Sequence, residues 1–526
     1  MTASSLSYFF MSWYSPDLLA LTALGTLAGI YVGAIPGLSV TMAVSILISF
    51  TFSWDVNDAL ALMVGVYCGG VYGGSRTAIL LNIPGAPSAI ATSFDGFPLA
   101  ERGEAGQAIG VTTIVSVIGG FVGIAVLALA APVVSEFALK FAPRDYLLIA
   151  TMGLLLVGSL SGESAAKGIF AGSLGVIFGM VGMDPITAEG RFTFGTISLL
   201  GGIHFVIAMI GLFGVSEALY QIHNVHVRPV KQDVSKIIPN WRVVLKYLPL
   251  SLRTAIIGVM IGALPGTGGD IAALLAYDHA KRSVKKPSRP FGEGAYEGLV
   301  APEAANNAAI GGAYVPMLTL GIPGDSVTAV FIGALYIHGL KPGPMLMIDT
   351  PHLFWFTVGN LVLTNIFLLI FGLTGIRIFA KMVELPKGIL MPLIIVLSVV
   401  GTYAIQNNVT DIYWMLGFGI FGYFLKMNGF QVGPIILGII LGPLMDISYR
   451  RALMSVNDSM PAFFIELFTH PITLVFTLAV LFMLISQTPL WPLILRLFRR
   501  KRQEPDNIAA SSPIEAECQS KHHVEN

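Results

Sequence analysis

Apolar runs long enough to cross a bilayer recur along almost the whole chain, and that pattern constrains the fold more than any other feature. They lie near residues 17–54, 59–81, 106–132, 146–160, 165–187, 196–220, 249–277, 304–320, 326–340, 352–381, 386–406, 411–427, 430–447 and 471–497. A spanning helix needs about 20 predominantly apolar residues. The runs therefore predict an all-α polytopic membrane protein with roughly a dozen transmembrane helices, some of them broken or re-entrant. Composition agrees: charged residues are 11% of the chain, where a soluble domain carries about 25%. The formal net charge is zero, which gives no electrostatic footprint for nucleic acid. Cys68 and Cys518 supply neither a disulfide framework nor a metal-ligand spacing.

Charge placement predicts topology. The first basic residue is Arg76, so no cleavable signal peptide is expected and the N-terminus is expected outside, in the periplasm. Basic residues cluster in loop 221–248 (Arg228, Lys231, Lys236, Arg242, Lys246), in 278–290 (Lys281, Arg282, Lys285, Lys286, Arg289) and after 495 (Arg496, Arg499, Arg500, Lys501, Arg502). The positive-inside rule puts all three in the cytoplasm. The organisation read from this is a first membrane repeat at 1–220, a cytoplasmic linker at 221–248, a second repeat at 249–497 and a disordered cytoplasmic tail at 498–526. Segment 249–277 then lies between two loops on one side. It breaks at Pro265-Gly266, and its arms, 249–263 and 270–277, are short, so it reads as a re-entrant hairpin.

The break occurs twice. Gly29, Gly33, Ala34, Pro36, Gly37 and Ala43 recur as Gly258, Gly262, Ala263, Pro265, Gly266 and Ala272, at a constant offset of 229. A second pair follows, Asn82-Ile83-Pro84-Gly85 and Gly321-Ile322-Pro323-Gly324. Two related halves, each with two Pro-Gly interruptions, with basic loops flanking the second copy and a Lys/Arg-free N-terminus ahead of the first, predict inverted repeats. Interruptions in corresponding positions point to a transporter's binding site.

The chemistry follows from the backbone. A broken helix offers free N–H groups at one half-helix start, which suit a carboxylate, and free carbonyls at the other half-helix end, which suit a cation such as Na⁺. The substrate-binding candidates are Pro36, Gly37 and Ser39 at the first break, and Asn82, Pro84, Gly85 and Ser88 at the second. Pro265, Gly266 and Thr267 follow at the third, and Pro323, Gly324 and Ser326 at the fourth, with Asn306 and Asn307 ahead of it. Thr41, Asp270 and Asp325 are the coupling-ion candidates, with Na⁺ or H⁺ as the ion. Asp325 either holds a cation or pairs with Arg76. Glu303, after Pro302, reads as a helix-start cap, His204 as a structural histidine, and the glycines at 65, 69 and 73 as a helix-packing stripe. No P-loop, H-E-x-x-H or G-x-S-x-G is present, so neither enzymatic chemistry nor cofactor use is expected.

Tyr72-Gly-Gly-Ser75, Ile79-Leu-Leu-Asn82-Ile-Pro84-Gly85, Asp95-Gly-Phe-Pro98, Gly262-Ala-Leu-Pro265-Gly266, Ala301-Pro-Glu-Ala-Ala-Asn306-Asn307, Gly321-Ile-Pro-Gly324 and Gly339-Leu-Lys-Pro342-Gly-Pro344 together resemble the TctA family. These are the large membrane subunits of tripartite tricarboxylate transporters. The resemblance covers nearly the whole chain except its tails. It implies a bacterial inner-membrane permease working with a small membrane subunit (TctB-like) and a periplasmic solute-binding protein (TctC-like). It also implies import of a small carboxylate on a Na⁺ or H⁺ gradient. Arg76, Asp270 and Asp325 depart from the family pattern expected around these motifs. A receptor or scaffold without transport of its own is the competing reading, and a passive channel a further one.

Overall fold

In a computed structural model of the chain, residues 3–35, 38–82, 84–160, 164–184, 186–223, 241–375 and 387–487 are described. Pro36, Gly37, most of the loop before Trp241 and the tail 498–526 lie outside them. After two short helices at Ala3–Phe9 and Met11–Tyr14, the first eight principal helices are α1 (Pro16–Ala34), α2 (Val40–Thr51), α3 (Val56–Leu81), α4 (Ile90–Glu101), α5 (Ala105–Ala138), α6 (Pro143–Leu160), α7 (Ala165–Gly179) and α8 (Phe205–His223). Eight more follow: α9 (Trp241–Gly262), α10 (Gly268–Ser283), α11 (Tyr296–Leu320), α12 (Ser326–Ile337), α13 (Pro351–Thr374), α14 (Lys387–Gln406), α15 (Val409–Met427) and α16 (Gly433–Ser455). Two further helices, α17 (Met460–Thr469) and α18 (Pro471–Gln487), meet at a bend of 99°.

Each Pro-Gly motif falls between two helices: α1 and α2, α3 and α4, α9 and α10, α11 and α12. Local chemistry sets these boundaries. Helix α3 ends on Asn82 at φ 54° and α11 ends on Gly321 at φ 71°. Both are left-handed C-caps, a conformation that glycine and asparagine accept most readily. On the far side of the breaks, Ser39 Oγ accepts the Met42 N–H at 3.0 Å to start α2. Asp325 and Thr328 form a reciprocal capping box that starts α12.

The packing is similar in both sets of helices. Glycines at 25, 29 and 33 on α1 face the backbone of Leu62, Val66 and Gly70 on α3, and glycines at 65, 69 and 73 face back. Gly258 and Gly262 on α9 face Ala305 and Ala309 on α11 in the same manner. Stripes of small residues let helix backbones touch where side chains would hold them apart. The breaks repeat this. A Cβ on Gly324 would lie 2.6 Å from the Gly262 carbonyl oxygen and 2.5 Å from Ala313 Cα, and one on Gly85 would press on the Gly33 carbonyl and lie 3.0 Å from Gly74 Cα. The two sets also interlock, with α5 against α11, α13 against α3, α7 against α16 and α15 against α8.

Three expectations change. Among the described residues, five helices are long and apolar enough to cross a membrane (α1, α5, α8, α9 and α13), or six if the bent α17–α18 pair is one span. That is fewer than the dozen expected. Part of the difference is length, since the apolar helices at Val40–Thr51, Ala165–Gly179, Ser326–Ile337 and Met391–Gln406 have only 10–17 residues; part is burial, since from Tyr296 to Thr319 every residue of α11 is buried, so protein surrounds it and its residues need not be lipophilic. Second, α9 begins at Trp241, inside the stretch expected as linker, so the arm before Pro265 has 22 residues and not 15. Third, Glu303 is no cap. It sits in the interior of α11, fully buried, and accepts Ser75 Oγ and Thr92 Oγ1 at 2.5 Å and Ser116 Oγ at 2.9 Å.

The basic loop before α11 is docked. Asp95 Oδ1 accepts the N–H groups of Gly292, Gly294 and Ala295 at 2.7–2.9 Å, and Tyr277 donates to Oδ2 at 2.9 Å. Arg289 pairs with Glu104 at 2.7 Å.

Candidate functional site

Where the breaks meet there is a cavity of about 620 Å³, within the range of about 300–1,000 Å³ usual for small-molecule sites. Helix starts form much of its wall: Ser39–Thr41 at α2, Pro87, Ser88 and Ile90 at α4, Thr267–Ile271 at α10, Asp325–Val327 at α12 and Val432–Pro434 at α16. The first N–H groups of a helix lack intrahelical partners, and its start carries about half a positive charge. Two of these starts are already served by their own side chains, Ser39 and Asp325.

The third and fourth breaks touch directly. Gly266 N–H donates to Pro323 O at 3.3 Å and Gly268 N–H to Gly324 O at 3.2 Å. Gly266 and Gly268 have φ of 73° and 60°, so the loop that makes these bonds depends on glycine. At Gly268 a Cβ would lie 2.9 Å from Asp325 Cβ. The loop therefore rests directly on the acid. The Ser88 N–H points at the Asp270 carboxyl. Tyr67 donates to Asp325 Oδ2, while Oδ1 accepts the Thr328 N–H at 2.7 Å.

Of the residues singled out from sequence, Ser39, Thr41, Ser88, Gly266, Thr267, Asp270, Asn306, Asp325 and Ser326 line this one cavity. The others take different places. Asn82 is exposed at the end of α3. Gly85 and Gly324 sit against neighbouring helices, as described above, and Pro84, Pro265 and Pro323 are in the breaks but off the cavity wall. Asn307 donates to Glu303 O at 3.1 Å and borders a separate void of about 10 Å³ with Cys68 and Asn365. Asn306 is buried, and its Nδ2 has no hydrogen-bond partner among the described residues.

Arg76 and Asp325 do not pair. Arg76 donates to Tyr72 Oη at 2.8 Å and to the Gly372 carbonyl, with its guanidinium 5.0 Å from the Tyr72 ring centroid. His204 precedes α8 and stacks on Phe205, with ring centroids 5.7 Å apart; its Nδ1 has no partner among the described residues.

Sequence reasoning passed over Tyr67, Glu217, Lys426 and Gln431, which also line the cavity. Lys426 Nζ lies 2.5 Å from Glu217 Oε2. The charged side chains of the described lining are thus Glu217, Asp270 and Asp325 against Lys426. No group of three or more His, Cys, Asp or Glu that could hold a metal ion occurs among the described residues.

A family model described as "Tripartite tricarboxylate transporter TctA family" matches residues 19–437. A protein of Agrobacterium vitis, "Uncharacterized 52.8 kDa protein in TAR-I ttuC' 3'region", is 36% identical over 461 residues, covering 87% of this chain and 91% of the relative. A second from the same organism, "Uncharacterized protein in TAR-II ttuC' 3'region", is 39% identical over 197 residues, covering 38% of this chain and 81% of the relative. No solved structure matches the chain.

Proposed function

Because this chain belongs to the tripartite tricarboxylate transporter TctA family, we propose that it is the large permease subunit of a binding-protein-dependent secondary importer of small organic carboxylates. The observation that carries this reading is the convergence of helix starts on one cavity. Backbone N–H groups at a helix start bind an anion without burying a full positive charge. The two sets of eight helices act as inverted repeats across a bacterial inner membrane, with the N-terminus periplasmic and the C-terminus cytoplasmic. The breaks then meet near the midplane, where alternating access exposes the cavity first to one side and then to the other.

Asp325 and Asp270 face the same cavity and would repel an anion unless a cation accompanies it. Na⁺ or H⁺ neutralising them couples import to the ion gradient. Asp325, Asp270 and Thr41 are the groups assigned to that ion. A small TctB-like membrane subunit and a TctC-like periplasmic solute-binding protein complete the system.

The test is uptake of labelled carboxylates into proteoliposomes containing the chain, the small subunit and the binding protein, with and without a Na⁺ or H⁺ gradient. Uptake that requires both the binding protein and a gradient supports the proposal. No uptake under any gradient by an intact complex would transfer the role to a receptor or scaffold.

A further inference from the structure

Lys426 and Glu217 form the ion pair at the cavity wall, and neither belongs to a Pro-Gly break. Glu217 stands near the end of α8, just after its π-helical stretch Ile210–Val215, and Lys426 is in the last turn of α15. The helices that carry them are held by close packing: a Cβ on Gly419 would lie 2.5 Å from Val215 Cγ1, and one on Gly422 would lie 2.9 Å from Ser216 Cβ. Gln221 Nε2 donates to the other Glu217 oxygen at 2.9 Å. Behind the wall, Lys167 donates to Asn428 O at 2.7 Å and covers the Phe430 ring at 5.0 Å. This fixes the turn through which Phe430, Gln431 and Val432 reach the cavity.

A purely structural staple is a poor account of this pair. The glycine contacts already join α8 to α15, and an ion pair this shielded adds little net stability, because the cost of desolvating both charges offsets their attraction. Both side chains keep 17% of their surface exposed. Such a pair exchanges one carboxylate for another at little cost. Among the described lining residues Lys426 carries the sole positive side-chain charge, so an entering anion finds a full countercharge at that place alone.

Resting on the carboxylate-import reading, we propose that Lys426 binds a carboxylate of the substrate. Glu217 holds the ammonium at the cavity wall between turnovers and yields to the substrate carboxylate when it arrives. The site thus has two kinds of anion holder, helix starts and one ammonium. This fits a substrate with more than one carboxylate, one engaging Lys426 and another the helix starts.

The experiment uses the complete complex in proteoliposomes with labelled propionate, succinate and citrate, and four variants: Lys426→Arg, Lys426→Gln, Glu217→Gln and the double Lys426→Gln/Glu217→Gln. A lost charge-assisted contact raises the half-saturation concentration by about tenfold or more. Lys426→Gln is expected to show that rise for succinate or citrate, and Lys426→Arg to recover part of it. Glu217→Gln, which frees the ammonium, should lower half-saturation several-fold. The double variant leaves no charge unpaired and should insert normally, yet stay as poor as Lys426→Gln.

Recovery of the double variant to wild-type uptake would make the pair a structural staple and overturn the inference. So would Lys426→Gln within about twofold of wild type. Propionate as the sole substrate carried would remove the multi-carboxylate part. No uptake of any of the three by the wild-type complex would sink the transport reading itself, and this inference with it.

Discussion

Gly324→Ala tests whether the fourth break is a rigid part of the site. The new Cβ would lie 2.5 Å from Ala313 Cα, 2.6 Å from the Gly262 carbonyl oxygen and 2.7 Å from Ala313 Cβ. Ordinary carbon–oxygen approach is about 3.3 Å and carbon–carbon approach about 3.5 Å, so the break must retreat by roughly 0.7–1 Å. Two of the three obstructing atoms are backbone, on two different helices, and no rotamer change relieves them. Overpacking of this kind costs about 1–3 kcal/mol, and three simultaneous contacts put Gly324→Ala at the upper end. The retreat also pulls on the Gly268 N–H to Gly324 O bond and on Asp325 and Ser326, which follow directly. The expected outcome is a melting temperature lower by about 2–3 °C, with uptake reduced at least tenfold. Gly417→Ala is the control: it stands on an exposed part of α15 with nothing within 4 Å of the added carbon, and alanine gains up to about 1 kcal/mol in helix propensity. Fluorescence-detected melting in detergent and proteoliposome uptake read the two effects separately. A Gly324→Ala protein that melts and transports like wild type would refute the rigid-break argument.

Asn306→Ala should raise the half-saturation concentration for substrate while Asn307→Ala mainly lowers stability, because Asn306 lines the cavity and Asn307 is turned to the Glu303 carbonyl; equal effects on uptake kinetics would contradict this placement. Tyr67→Phe removes the hydroxyl that donates to Asp325 and should shift the cation concentration needed for half-maximal uptake several-fold; an unchanged cation dependence would separate Asp325 from coupling. The Arg289 hydrogen bond holds the Glu104 carboxyl below its ordinary value of 4.5. The stability this pair adds is full above that value and is lost as pH falls below it through the lowered one. With the two side chains 27% and 29% exposed, it amounts to about 1 kcal/mol at most. The melting difference between wild type and Arg289→Ala should therefore shrink from pH 7 to pH 4, and a difference that grows would reverse the sign of the argument. A cysteine replacing Lys286, in a background without Cys518, should react with an impermeant maleimide from the cytoplasmic side alone; labelling from outside would invert the topology.

The breaks were legible because proline and glycine act on the backbone, whatever surrounds them. Pro36, Pro84, Pro265 and Pro323 each mark an interval between helices, and the residues just beyond them begin the next helix and line the cavity. The helix starts that built the anion argument could thus be read locally. Lys426 and Glu217 could not. A lysine in the last turn of a helix has an ordinary explanation in the helix dipole, and its partner is 209 positions away in sequence. Asn82 is the converse case: its polarity suggests a ligand contact, while the structure places it at a helix ending, at φ 54°, away from the cavity wall. Ala301-Pro302-Glu303 looks like a helix start because proline favours first turns; α11 in fact begins at Tyr296 and carries Pro302 inside it. Such errors arise wherever a residue type has two physical uses and the tertiary neighbours decide between them.

The cavity's charge supplies the last step. The three helix starts without a side-chain cap of their own favour an anion, yet three carboxylates face the same space with one ammonium. Two like charges a few ångströms apart in a medium less polar than water repel by several kcal/mol, more than a helix start returns, which is about 0.3–1 kcal/mol when exposed and up to about 2 when partly buried. A carboxylate alone is thus a poor ligand for this wall and becomes favourable once a cation is bound; by linkage the bound anion tightens the cation in return. On the proposed reading that mutual dependence is the coupling. It places the cation ahead of the substrate, because Asp325 is already positioned by Tyr67 and its capping box and needs no anion to bind one. Preincubation with the coupling ion should then shorten the lag before uptake, whereas preincubation with substrate should leave it unchanged; a lag abolished by substrate alone would reverse the order and remove the electrostatic argument for it.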